Sequence, residues 1–280
     1  MKVVLFCGGF GLRMRDESEN TPKPMAQVGY RPILWHIMKY YAYYGHKDFI
    51  LCLGYKADVI KDYFINYKEH VTNDFVLSNG HQMELLSHDI QDWTVTFVDT
   101  GLHANIGERL MAVRSYLKGE ERFLANYADG CTSLPLPEII DFSEKKDMVG
   151  TFVSVKPTQS FHVVRTKPDG RVASIEDATG SGMRINGGYF VFKQEIFDYM
   201  RPGEELVLQP FDRLMEDDEL YAYPYEGFWA CMDTFKEKQM LNDMYRNGDA
   251  PWAVWESGDR VKRSVESKTA RPNGHEGVHA

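Results

Sequence analysis

The sequence predicts an α/β fold: a mixed, mostly parallel sheet flanked by helices, followed by a smaller β-rich part. Up to about residue 147, short apolar runs alternate with amphipathic helical runs, the pattern of βαβ units whose strands lie parallel. Beyond it, strand-like runs are separated by "KPDG" and "ATGSG", turn chemistry that suits a mixed or antiparallel arrangement. At 280 residues, 43% hydrophobic and 26% charged, the chain can bury a sizeable core.

"VVLF" opens the chain as a short buried strand, interrupted too soon by polar and glycine residues to be a signal peptide. Pro32 then suits the first turn of a helix over "PILWHIMKYYAYYG", with Gly45 as its C-terminal cap. "DFILCLGY" predicts a strand, "KADVIKDYFINY" a helix, and "WTVTFVD" an alternating strand with Val95 and Phe97 opposite Thr94 and Thr96. The helix "GERLMAVRSYLK" leads to the strand "RFLANYADG". Short strands follow in "MVGTFVSVK", "FHVVRT", "RVASIED" and "NGGYFVF", then a helix in "QPFDRLMED". A long strand "LYAYPYEGFWACMD" and the helix "TFKEKQMLNDMYRNG" complete the series. From Ser257 the chain lacks apolar periodicity, so residues 257–280 are expected to be a polar, disordered tail.

Charge and cysteine usage narrow the function classes. A net charge of −9 argues against nucleic acid or an anionic membrane as partner, so any anion site must be a local concentration of basic groups. Cys7, Cys52, Cys131 and Cys231 have no metal-ligand spacing and read as reduced thiols of a cytoplasmic protein. No stretch approaches the ~18 apolar residues of a transmembrane helix.

Ligands of parallel α/β sheets bind at the carboxyl ends of the strands, which predicts that loops 7–25 and 127–133 face one cleft. The first of these, "CGGFGLRMRDESENTPKPM", is neither a P-loop, which needs GxxxxGK[ST], nor a dinucleotide fingerprint, since Arg13 replaces the third glycine. What remains is GGxGxR followed by "TPKPM". Successive glycines let backbone N–H groups approach a polyphosphate, while Arg13 and Lys23 supply fixed and mobile positive charge. Pro22 and Pro24 would hold Lys23 on an extended arm, suited to meeting charge that develops in a transition state. The plain alternative is a solvated turn with incidental charges.

Asp129 in "YADG" and Asp233 in "MDT" each follow a strand. Two such carboxylates can jointly hold one Mg²⁺, which needs only one or two carboxylates besides phosphate oxygens. Taken singly, either fits a turn or a helix N-cap.

"FCGGFGLRMRDESENTPKPMAQVGYRPILWHIMKYY" resembles the amino-terminal signature of sugar-1-phosphate nucleotidylyltransferases, in particular their glucose-1-phosphate cytidylyltransferase branch. The resemblance continues through "GYKADVIKDYF", "VTFVDTG", "NYADGCTS", "INGGYFVF", "EGFWACMDTFKEK" and "APWAVWE", covering residues 1–256. It implies a Rossmann-like fold of the nucleotide-diphospho-sugar transferase type: one domain, with a nucleotide-binding part over about 1–147 and a sugar-binding and C-terminal part over about 148–256. It further implies cytidylyl transfer from CTP to a sugar-1-phosphate with Mg²⁺ as cofactor, in support of deoxy-sugar or surface-polysaccharide synthesis, by a homo-oligomer. Asp129 and Asp233 would be the metal ligands, and Arg13 and Lys23 the catalytic cations. Gly8, Gly9, Gly11, Arg13, Lys23, Arg109 and Asp129 would contact nucleotide. Asn186, Gly187 and Gly188, with Glu176, Asp177 and Arg184, would serve the sugar-1-phosphate. Without the resemblance, Arg109 reads as an ordinary solvated helix residue, and the glycines of "INGGY" as a bulge or a close backbone approach.

Two positions depart from the family pattern. Leu12 stands where a threonine is usual, and Asp177 where a lysine holds the sugar phosphate. At ~4 Å and an effective dielectric near 20, a unit charge pair is worth about 4 kcal/mol, so the reversal at Asp177 matters. Arg184 or Arg165 could replace the lost cation. Otherwise the acceptor differs, one with a cationic group being an option, or the base differs, or the protein binds nucleotide as a weakly catalytic regulator.

Overall fold

The structure, a computed structural model, describes residues 1–9, 21–158, 161–178 and 180–256. The described chain runs through β1 (Val3–Phe6), β2 (Gln27–Val28), β3 (Arg31–Pro32), α1 (Ile33–Tyr43), β4 (Asp48–Leu53), α2 (Ala57–Ile65), β5 (Phe75–Ser78), β6 (Gln82–Leu85), β7 (Thr94–Asp99) and α3 (Ile106–Val113). It continues through β8 (Arg122–Asn126), β9 (Gly130–Thr132), α4 (Leu136–Lys146), β10 (Gly150–Val155), β11 (His162–Thr166), β12 (Val172–Asp177) and β13 (Ile185–Lys193). The last elements are α5 (Gln209–Glu216), β14 (Leu220–Pro224), β15 (Trp229–Cys231) and α6 (Phe235–Arg246).

Seven strands form one sheet in the order β14, β10, β13, β8, β1, β4, β7. β8, β1, β4 and β7 are mutually parallel, and β14 is parallel to β10, while β13 runs against both of its neighbours. The expected mixed, mostly parallel sheet is present. Its parallel centre is apolar on both faces because strand side chains alternate with period two. Val3 and Leu5 join Phe49, Leu51 and Leu124 in a core beneath α1. Val4 and Phe6 join Ile50, Cys52 and Phe123 in a second core with Leu110 and Val113 of α3. The four cysteines are buried and none is in a disulfide.

The second half has the mixed arrangement expected of it: β10, β13 and β14 extend the main sheet, leaving the β11–β12 hairpin and the β9–β15 pair apart from it. One expectation about it needs correction. The long strand expected over "LYAYPYEGFWACMD" is two strands in different sheets. Pro224 has no N–H to continue a ladder and is tolerated at the end of the edge strand β14. The chain then turns at Gly227, where a Cβ would come within 2.1 Å of the Tyr225 hydroxyl oxygen. The hairpin β5–β6 is absent from the sequence reading, although Asn79 (φ 53°) and Gly80 (φ 76°) at its tip are a two-residue turn signature.

Pro32 caps α1 in extended conformation, and Gly45 at φ 90° follows its end, as the sequence implies. On the inner face of α1, His36 is 1% exposed. Its Nε2 donates to the Val28 carbonyl at 2.8 Å, and its Nδ1 accepts from the Trp252 indole at 3.4 Å, so the neutral ring uses both nitrogens. Burial first, then the nearby Arg31 charge, lowers its pKa to about 4 from 6.5. The unfolded chain therefore binds the proton first. Stability conferred by the neutral ring is full above pH 6.5 and falls as pH drops toward 4, by up to about 3 kcal/mol. Urea unfolding at pH 7 and pH 4.5 should show a smaller acid loss in His36→Gln than in the unaltered protein; equal losses would remove His36 from the acid sensitivity.

Candidate active site

The carboxyl ends of β1, β7 and β8 converge on a cavity of about 580 Å³, lined by Gly9, Lys23, Asp129 and Asp233 together with Leu102–Asn105, Arg109 and Tyr127. Loops 7–25 and 127–133 thus face one cleft through their described residues. Gly11 and Arg13 lie outside the described residues.

Asp129 and Asp233 meet because β9 pairs antiparallel with β15. The register sets Cys231 opposite Gly130, and the Met232 N–H donates to the Asp129 carbonyl at 2.8 Å. A tight turn after β8 sets the approach of Asp129: Ala128 adopts φ 60° and its N–H donates to Asn126 Oδ1 at 2.7 Å. Asp233 sits just before α6, whose first turn is closed by the reciprocal bonds of Thr234 and Glu237. Its own N–H donates to Glu237 Oε2 at 2.8 Å, which leaves its carboxylate turned to the cavity.

Lys23 bridges the two carboxylates, with Nζ 2.7 Å from Asp129 Oδ2 and 2.5 Å from Asp233 Oδ1. The extended arm expected from Pro22 and Pro24 is only half right. Pro22 is extended (ψ 149°), but Lys23 begins a 3₁₀ turn through Met25, since Pro24 at its second position fits the helical φ and needs no N–H there. Burial pushes the Asp129 carboxyl above its usual range against the opposing pull of Lys23. For Lys23, burial favours the neutral amine, but the two carboxylates outweigh it and the pKa lies above 10.5. Lys23 therefore keeps its positive charge at neutral pH, held between the two carboxyl groups. A set of two carboxylates already converging on one cation suits Mg²⁺, which takes oxygen ligands and leaves the remaining positions to water or phosphate. Among the described residues no group of three or more acidic, His or Cys side chains offers a competing metal site.

Arg109 is not the solvated helix residue its spacing suggests; it is 2% exposed. From α3 its Nη1 donates to the carbonyls of Leu53 and Gly101, both at 3.0 Å, and to Thr100 Oγ1 at 2.7 Å, while Nη2 reaches the Gly8 carbonyl at 3.0 Å. One guanidinium thereby ties together the loops after β1, β4 and β7. The glycines make room for it: a Cβ at Gly8 would lie 2.1 Å from Nη1, and one at Gly54 would lie 2.8 Å from it. Gly54 has no part in the sequence reading, although a glycine closing the strand "DFILCLG" is the available signal. Arg109→Met keeps the stem but removes the donors from the Leu53, Gly101 and Gly8 carbonyls, of which those of Leu53 and Gly8 are buried, and is expected to cost about 2–4 kcal/mol in chemical denaturation. A change below about 0.5 kcal/mol would show the clamp to be dispensable.

The expected sugar-side residues divide. Asn186, Gly187 and Gly188 open β13 beside the cavity residue Tyr127, with Asn186 Nδ2 3.1 Å from the phenol oxygen. Glu176 and Asp177 lie on β12 of the outer hairpin, and neither lines the cavity. Arg184 donates to Ser154 Oγ, the Ser154 and Tyr225 carbonyls, and Glu226 at 2.5–2.9 Å, so it ties β10 to the loop after β14 instead of offering a spare cation. Arg165 is 4.0 Å from Glu176, both largely exposed. In this arrangement neither arginine stands in for a phosphate-binding lysine. Tyr127, Leu102, His103 and Glu205 are cavity residues that sequence reasoning passes over.

Residues 2–234 match the family described as Nucleotidyl transferase. The glucose-1-phosphate cytidylyltransferases of Salmonella typhimurium and Salmonella typhi are each 38% identical over 258 residues, spanning 91% of this chain and 100% of theirs. A solved UDP-glucose pyrophosphorylase complexed with UDP-glucose is 14% identical with a TM-score of 0.64, covering 88% of this chain and 98% of the other, and so shares the fold. Since the matched region contains the glycine turn, Lys23 and both aspartates, the chain belongs to the nucleotidyl transferase family.

Proposed function

We propose that the protein transfers a cytidylyl group from CTP to glucose-1-phosphate, forming CDP-glucose and pyrophosphate. The observation that carries the chemistry is Lys23 held between Asp129 and Asp233 at the cavity wall; the choice of substrates rests on the full-length relatives. A phosphate oxygen of the sugar-1-phosphate attacks the α-phosphorus of CTP in line. The new P–O bond forms as the bond to the β-phosphate breaks, and pyrophosphate leaves with the electron pair. No nucleophile from the protein is needed.

Asp129 and Asp233 would hold Mg²⁺, which when bound supplies charge neutralisation to the phosphates. Backbone N–H groups at Gly8, Gly9 and Gly11 would cradle the triphosphate, with Arg13 and Lys23 as cations against it. Arg109 would serve the nucleotide by fixing the loops around it. Asn186, Gly187 and Gly188 would form the acceptor side.

A second reading, a different acceptor or base, has one observation in its favour: Asp177 stands on an exposed hairpin where the family resemblance implies a lysine, and both nearby arginines are engaged elsewhere. One experiment tests both: Mg²⁺-dependent pyrophosphate release with CTP, UTP, dTTP, ATP and GTP, each with and without glucose-1-phosphate. Release confined to CTP with glucose-1-phosphate supports the first reading. Silence with every pair, alongside measurable CTP binding, rejects glucose-1-phosphate and directs the search to acceptors that carry a cationic group.

A further inference from the structure

The polar groups at the start of β13 orient a neighbouring side chain. Asn186 Oδ1 accepts the Gly188 N–H at 2.9 Å, which fixes the amide and turns Nδ2 toward Tyr127, 3.1 Å from the phenol oxygen. The phenol is therefore an acceptor in that bond, and its own O–H remains a donor. Among the described residues Asn186 is the hydrogen-bond partner of this hydroxyl.

The ring itself is closely held. Phe190 meets it edge-on at 5.2 Å, and Phe6 lies 6.3 Å away. Gly188 adopts φ 74°, and a Cβ there would come within 2.7 Å of Tyr127 Cδ2. The ring's place in the sheet is informative too. Tyr127 follows β8, between β13 and β1, whereas Gly8, Gly54 and the Arg109 clamp occupy the ends of β1, β4 and β7. With nucleotide on the glycine side, as proposed above, the Tyr127 side is left to the acceptor.

We infer that Tyr127 is a specificity-determining residue whose hydroxyl donates a hydrogen bond to an oxygen of the bound sugar-1-phosphate, with Asn186 as its positioning residue. The inference rests on the proposed function. The variant that isolates the hydroxyl is Tyr127→Phe, which keeps the ring. In calorimetry with the unaltered protein and this variant, CDP-glucose is expected to bind the variant about tenfold more weakly, while CTP affinity changes less than about twofold. In turnover, the KM for glucose-1-phosphate should rise by a similar factor with that for CTP unchanged. Equal affinity of both proteins for CDP-glucose overturns the inference and leaves the proposed function standing. An equal loss for CTP and CDP-glucose also overturns it, since the contact would then lie with the nucleotide or the fold. If the unaltered protein binds CTP but not CDP-glucose, the proposed function fails and the inference fails with it.

Discussion

Asp129→Asn is expected to lower Mg²⁺-dependent pyrophosphate release by at least about 10²–10³-fold, the loss typical of removing one preorganised electrostatic contact to a transition state. The substitution is nearly isosteric, and the backbone that places Asp129 is fixed independently of its carboxylate. Its carbonyl accepts from Met232, and the turn before it is set by Asn126 and Ala128. The change should therefore leave the fold intact while removing one of two formal negative charges beside Lys23. The neutral amide still has an oxygen for Lys23 but binds a divalent cation weakly, so the defect should deepen at low Mg²⁺ and ease in part at high Mg²⁺. Steady-state rates across a Mg²⁺ titration check this. Near-normal rates at every concentration would remove Asp129 from the metal site.

What the sequence revealed and what it concealed divide along the range of the interactions. β1, β4 and β8 are legible because a short two-sided apolar run can only be a buried strand when helices alternate with it. Lys23, Asp129 and Asp233 stand out as charged residues among glycine, proline and strand-end positions. Their meeting is another matter. It depends on the β9–β15 register, which pairs segments distant in the chain and has no local signature. Arg109 misleads for a related reason. Helical spacing reports which face a residue occupies but not that three loop carbonyls wait there to bind it, and buried arginines are rare enough that exposure is the sound expectation. Arg184 fails as a replacement cation because its partners are backbone carbonyls and Glu226, none of which a motif advertises. Tyr127 was concealed by the company it keeps: in "NYADG" the carboxylate draws attention, and only the amide orientation of Asn186 shows that the phenol proton is left to donate.

Lys23→Met should separate two roles that the lysine combines. In the structure its side chain is 14% exposed and its ammonium is the shared counter-ion of two aspartates whose side chains are about a quarter exposed. Methionine fills a similar volume without charge and leaves the carboxylates facing each other. Their repulsion should raise the proton affinity of Asp129 further and cost about 2 kcal/mol of stability at neutral pH. A divalent cation competes with Lys23 for the same oxygens, so Mg²⁺ alone should raise the melting temperature of the variant more than that of the unaltered protein. Turnover should move the other way. With the ammonium gone, charge developing on the phosphates loses a donor, and kcat is expected to fall by about 10²–10³-fold while CTP affinity falls less than about tenfold. The two readouts are independent. Equal Mg²⁺ shifts in both proteins would mean that the lysine does not compete for the metal oxygens, and an unchanged kcat would end its role in the transition state. If both expectations hold, Lys23 serves as the resting counter-ion of a metal site and then, released from the carboxylates, as a cation for the phosphates, which would account for a single lysine set between two acids at the mouth of the sheet.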